Sequence, residues 1–288
     1  MKKHFFYFST FILLAATLFS CVQQEGQKKS PANNLLDSEY KTITVTDNIR
    51  YRDGDSQSWV LDLAMPANFG KKLRPALVIV HGGGWRSGSK DADVYQKMMI
   101  DYAGMGYVVI NVNYRLTGEA AFPACIEDVK CAVRWLRAHA GEFSVDPNKI
   151  GSFGHSAGAH LSLMLAMCPD SANLEGDGGW TEFSSRVNVA VGASTPTALE
   201  RNNIDTNPVY WPVGYIAADQ PPILLIHGTD DELVPVIGTD AFVQKMKDVG
   251  ANIQYLRVDS VGHGVAYRLK LGVTEPVIRD FLAKYLQP

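Results

Sequence analysis

Hydrophobic and polar positions along the chain form blocks that predict β-strands alternating with α-helices. Eight short, mostly apolar blocks have the length of strands, and they are 43–51, 60–65, 76–80, 107–112, 150–153, 187–191, 223–226 and 253–258. Longer blocks with apolar residues at helical spacing predict helices over 95–102, 126–136, 157–168, 242–249 and 277–285. Continuous apolar strands separated by helices are typical of a mostly parallel sheet with helices on both faces. The pattern therefore predicts an α/β fold, with 43–51 and 60–65 paired as a hairpin at a sheet edge.

The first twenty residues have the pattern of an export signal. Lys2 and Lys3 precede an apolar run over 5–19, which is shorter than the ~20 residues that span a bilayer. The run ends at Leu18-Phe19-Ser20-Cys21, which resembles the lipobox of bacterial lipoproteins, whose cysteine is lipidated after cleavage. We therefore expect a signal peptide over 1–20, a membrane anchor through a lipid on Cys21, and a periplasmic or outer-membrane-associated lipoprotein. A plain signal peptide, with Cys21 incidental, is the alternative.

Composition limits the remaining possibilities. Residues 21–40 are polar and predict a tether, whereas 41–288 has no repeat and no break in composition and predicts a single domain. The formal net charge is −3 without a basic block, so we expect no nucleic-acid partner. No metal-ligand motif, Walker-type loop or dinucleotide-binding glycine pattern occurs, so we expect no metal and no cofactor. The cysteines of the predicted domain are expected to be small buried residues: Cys125, Cys131 and Cys168.

A predicted strand runs into Gly154-His155-Ser156-Ala157-Gly158, and an apolar helix follows it. G-x-S-x-G between a strand and a helix is typical of the nucleophile elbow, a turn so tight that its flanking positions must lack side chains. Such a turn exposes the serine hydroxyl and directs the N-terminus of the helix at developing negative charge. The motif therefore predicts Ser156 as a catalytic nucleophile.

A second glycine motif, His81-Gly82-Gly83-Gly84-Trp85, follows the predicted strand 76–80. Consecutive glycines allow backbone N–H groups to turn toward a substrate oxygen, which becomes an oxyanion during acyl transfer. We expect the oxyanion to be bound by the N–H groups of Gly83, Gly84 and Ala157.

A serine nucleophile needs a general base, which in turn needs an orienting acid. Strand 253–258 is followed by Val261-Gly262-His263-Gly264, which makes His263 the predicted base. Strand 223–226 is followed by three adjacent acids that remain open at this point: Asp230, Asp231 and Glu232. Other histidines are expected to pack or to brace the site: His81 at the glycine loop, His160 after Ser156, and His227 before the acids.

These motifs resemble the lipase and esterase branch of the α/β-hydrolases, most closely the bacterial acetylxylan and feruloyl esterase-like group called BD-FAE. The resemblance rests on the segments 81–91, 113–116, 122–129 and 134–137 besides the elbow, and it covers roughly 41–288. It implies an α/β-hydrolase fold and a serine carboxylesterase with a Ser-His-Asp triad. Its acid lies in the pattern H-G-x-x-D-x-x-V-P, which places the acid on Asp231.

The resemblance also implies a substrate, a small-molecule or polysaccharide ester carrying acetyl or feruloyl groups. The elbow departs from the G-D-S-A-G-G of the hormone-sensitive-lipase branch, no cap helices are predicted, and 199–220 is short for a lid. We therefore expect a minimal lid and a mostly open cleft. The residues expected to line it are Trp85, His155 and Trp211, with Trp180 and Tyr210 as further aromatic candidates.

Two other functions remain open from the sequence. The same triad could hydrolyse amides or peptides, as in kynurenine-formamidase-like or prolyl-peptidase-like enzymes. A non-catalytic lipoprotein that binds glycans on a hydrolase scaffold is the other alternative.

Overall fold

The computed structural model describes residues 42–67, 70, 72–198 and 207–288. The expected signal peptide over 1–20, the tether over 21–40 and the lipidation site Cys21 lie outside these residues. The described residues belong to one compact unit.

Eight strands form one sheet, in the order β1-β2-β4-β3-β5-β6-β7-β8. Their bounds are β1 (Ile43–Arg50), β2 (Val60–Pro66), β3 (Arg74–Val80), β4 (Val108–Val112), β5 (Val145–His155), β6 (Val189–Ala193), β7 (Ile223–Gly228) and β8 (Ile253–Val258). Strand β2 pairs antiparallel with both β1 and β4, and every other pair is parallel. The predicted α/β-hydrolase fold and its edge hairpin are therefore confirmed.

In the described part of the chain, four α-helices connect strands and a fifth follows β8: α1 (Asp93–Gly104), α2 (Ala124–Ala138), α3 (Ala157–Met167), α4 (Val236–Asp248) and α5 (Leu271–Leu286). Two of them begin about six residues before the predicted position. Helix α4 includes Gly238, a weak helix former, and α5 continues through Pro276, which cannot donate a backbone hydrogen bond. Among the described helices, none is both long and apolar enough to span a membrane.

The core lies on both faces of the sheet, as strand β3 illustrates. Val78 and Val80 point into the layer that includes α2 and α3, whereas Leu77 and Ile79 point into the layer that includes α1 and α5. All four side chains are fully buried, as expected for a central parallel strand. The three cysteines at 125, 131 and 168 are buried and free, which confirms that prediction.

Candidate active site

Ser156 occupies the turn between β5 and α3 in a backbone conformation that L-residues rarely adopt, with φ 56° and ψ −123°. The turn is possible only because two of its neighbours lack side chains. A Cβ on Gly154 would lie 2.1 Å from the carbonyl oxygen of Gly158, and one on Gly158 would lie 2.1 Å from that of Val80. Strain of this kind, held in place by close packing, marks functional positions in proteins.

Three side chains from three different loops meet at this turn. The Nε2 atom of His263 lies 2.9 Å from Oγ of Ser156. The opposite ring nitrogen, Nδ1, lies 3.0 Å and 2.9 Å from the two carboxylate oxygens of Asp231. Asp231 is therefore the acid that faces His263, whereas Asp230 is exposed and accepts a hydrogen bond from Thr229. This is the order of contacts that a serine hydrolase triad requires.

The Asp231 carboxylate is buried and held in its ionised form. Burial by itself raises its pKa, but hydrogen bonds from His227, His263 and the Val234 N–H outweigh burial and hold the pKa well below the usual range. The N–H groups of Leu233 and Val234 both donate to Oδ1, at 3.1 Å and 2.9 Å. An ionised acid of this kind favours the imidazole tautomer with a proton on Nδ1, which leaves Nε2 free to accept the proton of Ser156.

His227, expected as a structural hydrogen-bonder, holds the acid loop together. Its Nε2 lies 2.9 Å from the carbonyl oxygen of Val234 and 3.2 Å from Oδ2 of Asp231. Its Nδ1 lies 2.9 Å from the hydroxyl of Thr239 on α4. Asp231 is thereby fixed against the first turns of α4.

The glycine loop after β3 adopts conformations that favour glycine. Gly83 has φ 124° and Gly84 has φ 61°, and a Cβ on Gly83 would overlap the carbonyl of Ser87. Among the described residues, no hydrogen bond uses the N–H of Gly83 or Gly84, whereas the N–H of Gly82 donates to the Tyr95 hydroxyl at 2.7 Å. The N–H of Ala157, the first residue of α3, has no acceptor within its own helix. These three groups are available to a substrate oxygen.

A buried ion pair anchors the far side of the glycine loop. The Nζ atom of Lys90 lies 2.8 Å from the carboxylate of Asp62 on β2, and both side chains are almost fully buried. The carbonyl of Lys90 accepts from Asn111 on β4, and its N–H donates to Asn113. The sequence analysis did not assign Lys90 or Asp62 a role, since two oppositely charged residues so far apart carry no local signal.

Two side chains from other parts of the chain, His155 and Ser194, hold the loop of His263. The carbonyl oxygen of His263 accepts a hydrogen bond from Nε2 of His155 and a second, of 3.2 Å, from Oγ of Ser194. His155 also stacks on Tyr267, with ring centroids 4.5 Å apart. His155 was expected to line the cleft, but its ring is 5% exposed and its contacts are with protein. Burial lowers the pKa of His155 to about 4, so the ring is neutral near pH 7.

Two of the aromatic residues expected to line the cleft, Trp85 and Trp211, lie in a buried cluster instead. Trp85 is 7% exposed and Trp211 is 2% exposed, and their rings pack edge to face at 5.8 Å. His160 joins them, accepting from Trp85 Nε1 and bonding the carbonyl of Tyr210. Little of the Trp85 or Trp211 surface is therefore left to contact a substrate, because the rings of the cluster pack against one another. The segment 199–220, expected to be short for a lid, is described from residue 207 on and there contains two short 3₁₀ turns, Pro208–Tyr210 and Pro212–Tyr215.

The same chain is similar to known proteins along most of its length. The sequence profile of the BD-FAE family matches residues 61–207, about half of the chain, and that of the prolyl oligopeptidase family matches residues 191–288. Esterase LipC of Mycobacterium tuberculosis is 30% identical over 234 residues, which are 73% of this chain and 58% of LipC. The probable carboxylic ester hydrolase LipM of that organism is 31% identical over 61% of this chain and 45% of its own. The chain thus spans about half the length of these curated relatives.

Solved structures with the same fold include a thermophilic esterase of the planctomycete Thermogutta terrifontis. Its butyrate-bound form superposes with a TM-score of 0.72 at 29% identity, over 80% of this chain and 91% of that chain. The same esterase phosphonylated by cyclosarin superposes with a TM-score of 0.75 at 30% identity, over 85% of this chain and 96% of that chain.

Proposed function

The chain belongs to the BD-FAE family of the α/β-hydrolases, and from this premise we propose that it is a serine carboxylesterase. The observation that carries the proposal is the 2.9 Å contact between Ser156 Oγ and His263 Nε2, at a strained turn, with the ionised Asp231 on the opposite ring nitrogen. Its esterase relatives and the esterase structures above support the same activity.

In the proposed reaction, Ser156 Oγ attacks the ester carbonyl carbon while its proton moves to Nε2 of His263. Asp231 stabilises the imidazolium that forms. The carbonyl oxygen becomes an oxyanion and is bound by the N–H groups of Gly83, Gly84 and Ala157, each worth roughly 3–4 kcal/mol in such sites.

The tetrahedral intermediate collapses when the C–O bond to the alcohol breaks and His263 returns its proton to the leaving oxygen. Water then enters, gives a proton to His263 and attacks the acyl-enzyme. The acid leaves, and Ser156 regains its proton. The reaction consumes one water and needs no cofactor.

We further propose that the substrate is an acetyl or feruloyl ester carried by a polysaccharide or oligosaccharide. Membership of the BD-FAE family supports an ester of this kind. The absence of a large lid within the described part of 199–220 supports a cleft that admits a bulky alcohol component.

The experiment is hydrolysis by the full chain of p-nitrophenyl acetate, acetylated xylan and methyl ferulate, with the Ser156→Ala variant as control. A fluorophosphonate probe should label the wild-type chain and leave the variant unlabelled, as the cyclosarin adduct of the related esterase suggests. Hydrolysis that persists well above background in Ser156→Ala would exclude this mechanism. Activity on small p-nitrophenyl esters alone would retain the chemistry and exclude the polysaccharide substrate.

The match of 191–288 to the prolyl oligopeptidase family favours a second candidate, an amide or peptide hydrolase that uses the same triad. The matched segment contains Asp231 and His263 but not the glycine loop. Comparing kcat/KM for p-nitrophenyl acetate with the values for a proline anilide and for formyl-kynurenine separates the two. A higher value for either amide substrate would favour the second candidate.

We also propose that the protein is exported and lipid-anchored through Cys21, on the strength of the lipobox-like segment 18–21. Metabolic labelling of the full chain with an alkyne fatty acid in a bacterial host tests this. Labelling that disappears in Cys21→Ser is expected, and equal labelling of both forms would contradict it.

A further inference from the structure

A second concave site lies away from Ser156, beside the edge strand β1. It is a cavity of about 440 Å³, within the range of ligand sites in proteins. One wall is the chain that leaves β1, Arg50 to Asp53, and the other is the loop Asp177 to Trp180. None of its lining residues belongs to the triad or to the oxyanion loop.

The cavity and the triad both lie at the carboxyl ends of the parallel strands. Strand β2 is antiparallel to both β1 and β4, so β1 and β4 point the same way, and β4, β3 and β5 are parallel. The carboxyl end of β1, where the cavity lies, is therefore on the same side of the sheet as the carboxyl end of β5, which Ser156 follows. Four strand spacings separate β1 from β5, which is roughly 19 Å.

Direct contacts join the cavity to the glycine loop along this edge. The hydroxyl of Tyr51, in the cavity wall, donates to the carbonyl of Asn113 at 3.0 Å. Four residues later, the N–H of Thr117 donates to the carbonyl of Trp85 at 2.8 Å, next to Gly84. These contacts tie the cavity wall to the glycine loop.

The cavity lining combines donors, acceptors and an aromatic ring. Arg52 is held by Asp177 at 3.0 Å and by Asp128 at 3.6 Å, with its guanidinium over the ring of Trp59. Arg50 is exposed, and its Nε and Nη1 have no hydrogen-bond partner among the described residues. Because Asp53 and Asp177 balance the two arginines, the lining favours a neutral, polar ligand over a charged one.

Trp180 is fixed in a strained conformation at the cavity wall. Its φ is 67°, a region that bulky residues rarely adopt, and its indole N–H donates to the carbonyl of Tyr51 at 3.0 Å. The loop can approach this closely because Gly178 has no side chain, and a Cβ there would lie 2.7 Å from Sγ of Cys131. Strain retained in a half-buried tryptophan next to a cavity points to a binding role for the ring.

We propose that this cavity is a secondary binding site for a pyranose unit of a glycan chain. The apolar face of a sugar ring packs on indole, while its hydroxyls both donate and accept, which suits carboxylates and guanidinium groups placed side by side. The proposal builds on the polysaccharide substrate proposed above, since a unit held here lies on the chain that presents the ester to Ser156. Its test, however, needs no ester hydrolysis.

The test is calorimetric titration of the full chain with three unesterified probes: xylohexaose, cellohexaose and mannohexaose. We expect saturable binding of at least one of them. Trp180→Ala should weaken that binding about tenfold, the effect typical of a central aromatic contact, and Asp177→Asn should weaken it about threefold. The Asp177 side chain is 90% exposed, so Asp177→Asn should fold normally even if Trp180→Ala does not.

The matched control is Tyr285→Ala, which removes a partly buried aromatic ring near the end of α5. Tyr285 hydrogen-bonds Asn252, just before β8, which is the edge strand on the side of the sheet opposite β1. It should bind as the wild type does. The proposal is overturned if none of the probes binds, or if Asp177→Asn binds as tightly as the wild type. Hydrolysis of p-nitrophenyl acetate is measured separately. Glycan binding without esterase activity would contradict only the proposed function. Esterase activity without glycan binding would contradict only this inference.

Discussion

The Nε2 atom of His155 donates a hydrogen bond to the backbone carbonyl oxygen of His263. This contact joins the residue just before the nucleophile to the residue expected to act as base, across two loops that are 108 positions apart in the chain. The imidazole of His155 is buried and stacks on Tyr267, so it holds the carbonyl in one place. The elbow therefore positions both Ser156 and the loop that carries its base.

If His155 positions His263, His155→Phe should lower kcat about tenfold, since one buried hydrogen bond is worth about 1–2 kcal/mol. The ring can still stack on Tyr267, so KM should change little. His155→Gln, which keeps an N–H donor, should recover part of kcat. Steady-state kinetics on p-nitrophenyl acetate check this, and equal loss in both variants would argue for a purely structural role.

Asp231 and Asp230 offer a matched pair for the acid. Asp231→Asn removes the charge that orients His263 and should lower kcat by about a thousand- to ten-thousandfold. Asp230→Asn alters an exposed side chain whose partner is Thr229 and should leave kcat within about twofold of wild type. The kinetics of the two purified variants decide between them. A large loss in Asp230→Asn alone would move the acid to the neighbouring position.

The strained backbone of Ser156 gives a prediction about stability. Ser156→Ala keeps a Cβ at φ 56° and should melt close to wild type, whereas Ser156→Gly releases strain of about 1–3 kcal/mol. After the entropy that glycine adds to the unfolded chain, a net gain of about 1 kcal/mol remains, or roughly 2–4 °C in Tm. Both variants lack the nucleophile, so the comparison by differential scanning calorimetry is free of activity effects. Equal melting temperatures would mean that the strain only offsets the entropy cost of glycine, and a lower melting temperature for Ser156→Gly would show that the turn is unstrained.

Glycines near the elbow provide a second stability test. Gly158→Ala would bring a methyl group 2.1 Å from the Val80 carbonyl oxygen, and the β3 backbone cannot move without disturbing the sheet. We expect a loss of about 3 kcal/mol or more in the free energy of unfolding. Gly141→Ala is the control, because a Cβ there meets nothing within 4 Å. Urea unfolding of both variants measures the difference, and similar midpoints would contradict it.

Much of the fold could be predicted because its central strands are buried on both faces and so form continuous apolar runs. Strand β3 shows this, with all seven of its residues buried. The predictions failed at helix starts where local propensity and tertiary packing disagree. Helix α4 begins at Val236 because Thr239, Phe242, Val243 and Met246 form one buried face, which outweighs the glycine at 238.

A residue of the candidate site could be predicted only where its neighbours in the sequence form a recognisable motif. Ser156 follows β5 directly, His263 lies in the short loop after β8, and Asp231 was selected through the family resemblance. The support from Ser194 could not be predicted, because its hydroxyl contacts a carbonyl 69 residues away. The burial of Trp85 by Trp211 also depends on a distant loop, and a tryptophan's exposure cannot be read from its neighbours in sequence.

Buried histidines make the fold sensitive to acid. Burial lowers the pKa of His160 to about 4 from an ordinary value of 6.5, and it lowers those of His81 and His155 to about 4 as well. Between these pH values the unfolded chain binds protons that the folded chain excludes. The stability that each neutral ring contributes, up to about 3 kcal/mol, is therefore complete above about pH 6.5 and is lost as the pH falls toward 4.

His160→Gln tests this linkage at one ring. Glutamine can still accept from Trp85 Nε1 or donate to the Tyr210 carbonyl, but it does not titrate. The variant should be less stable than wild type at pH 7.5, yet its free energy of unfolding should fall less steeply between pH 6.5 and 4.5. Urea denaturation at several pH values measures both slopes. Because the whole difference comes from one proton, parallel slopes would mean that His160 is already protonated in the fold or that its ring remains accessible to water.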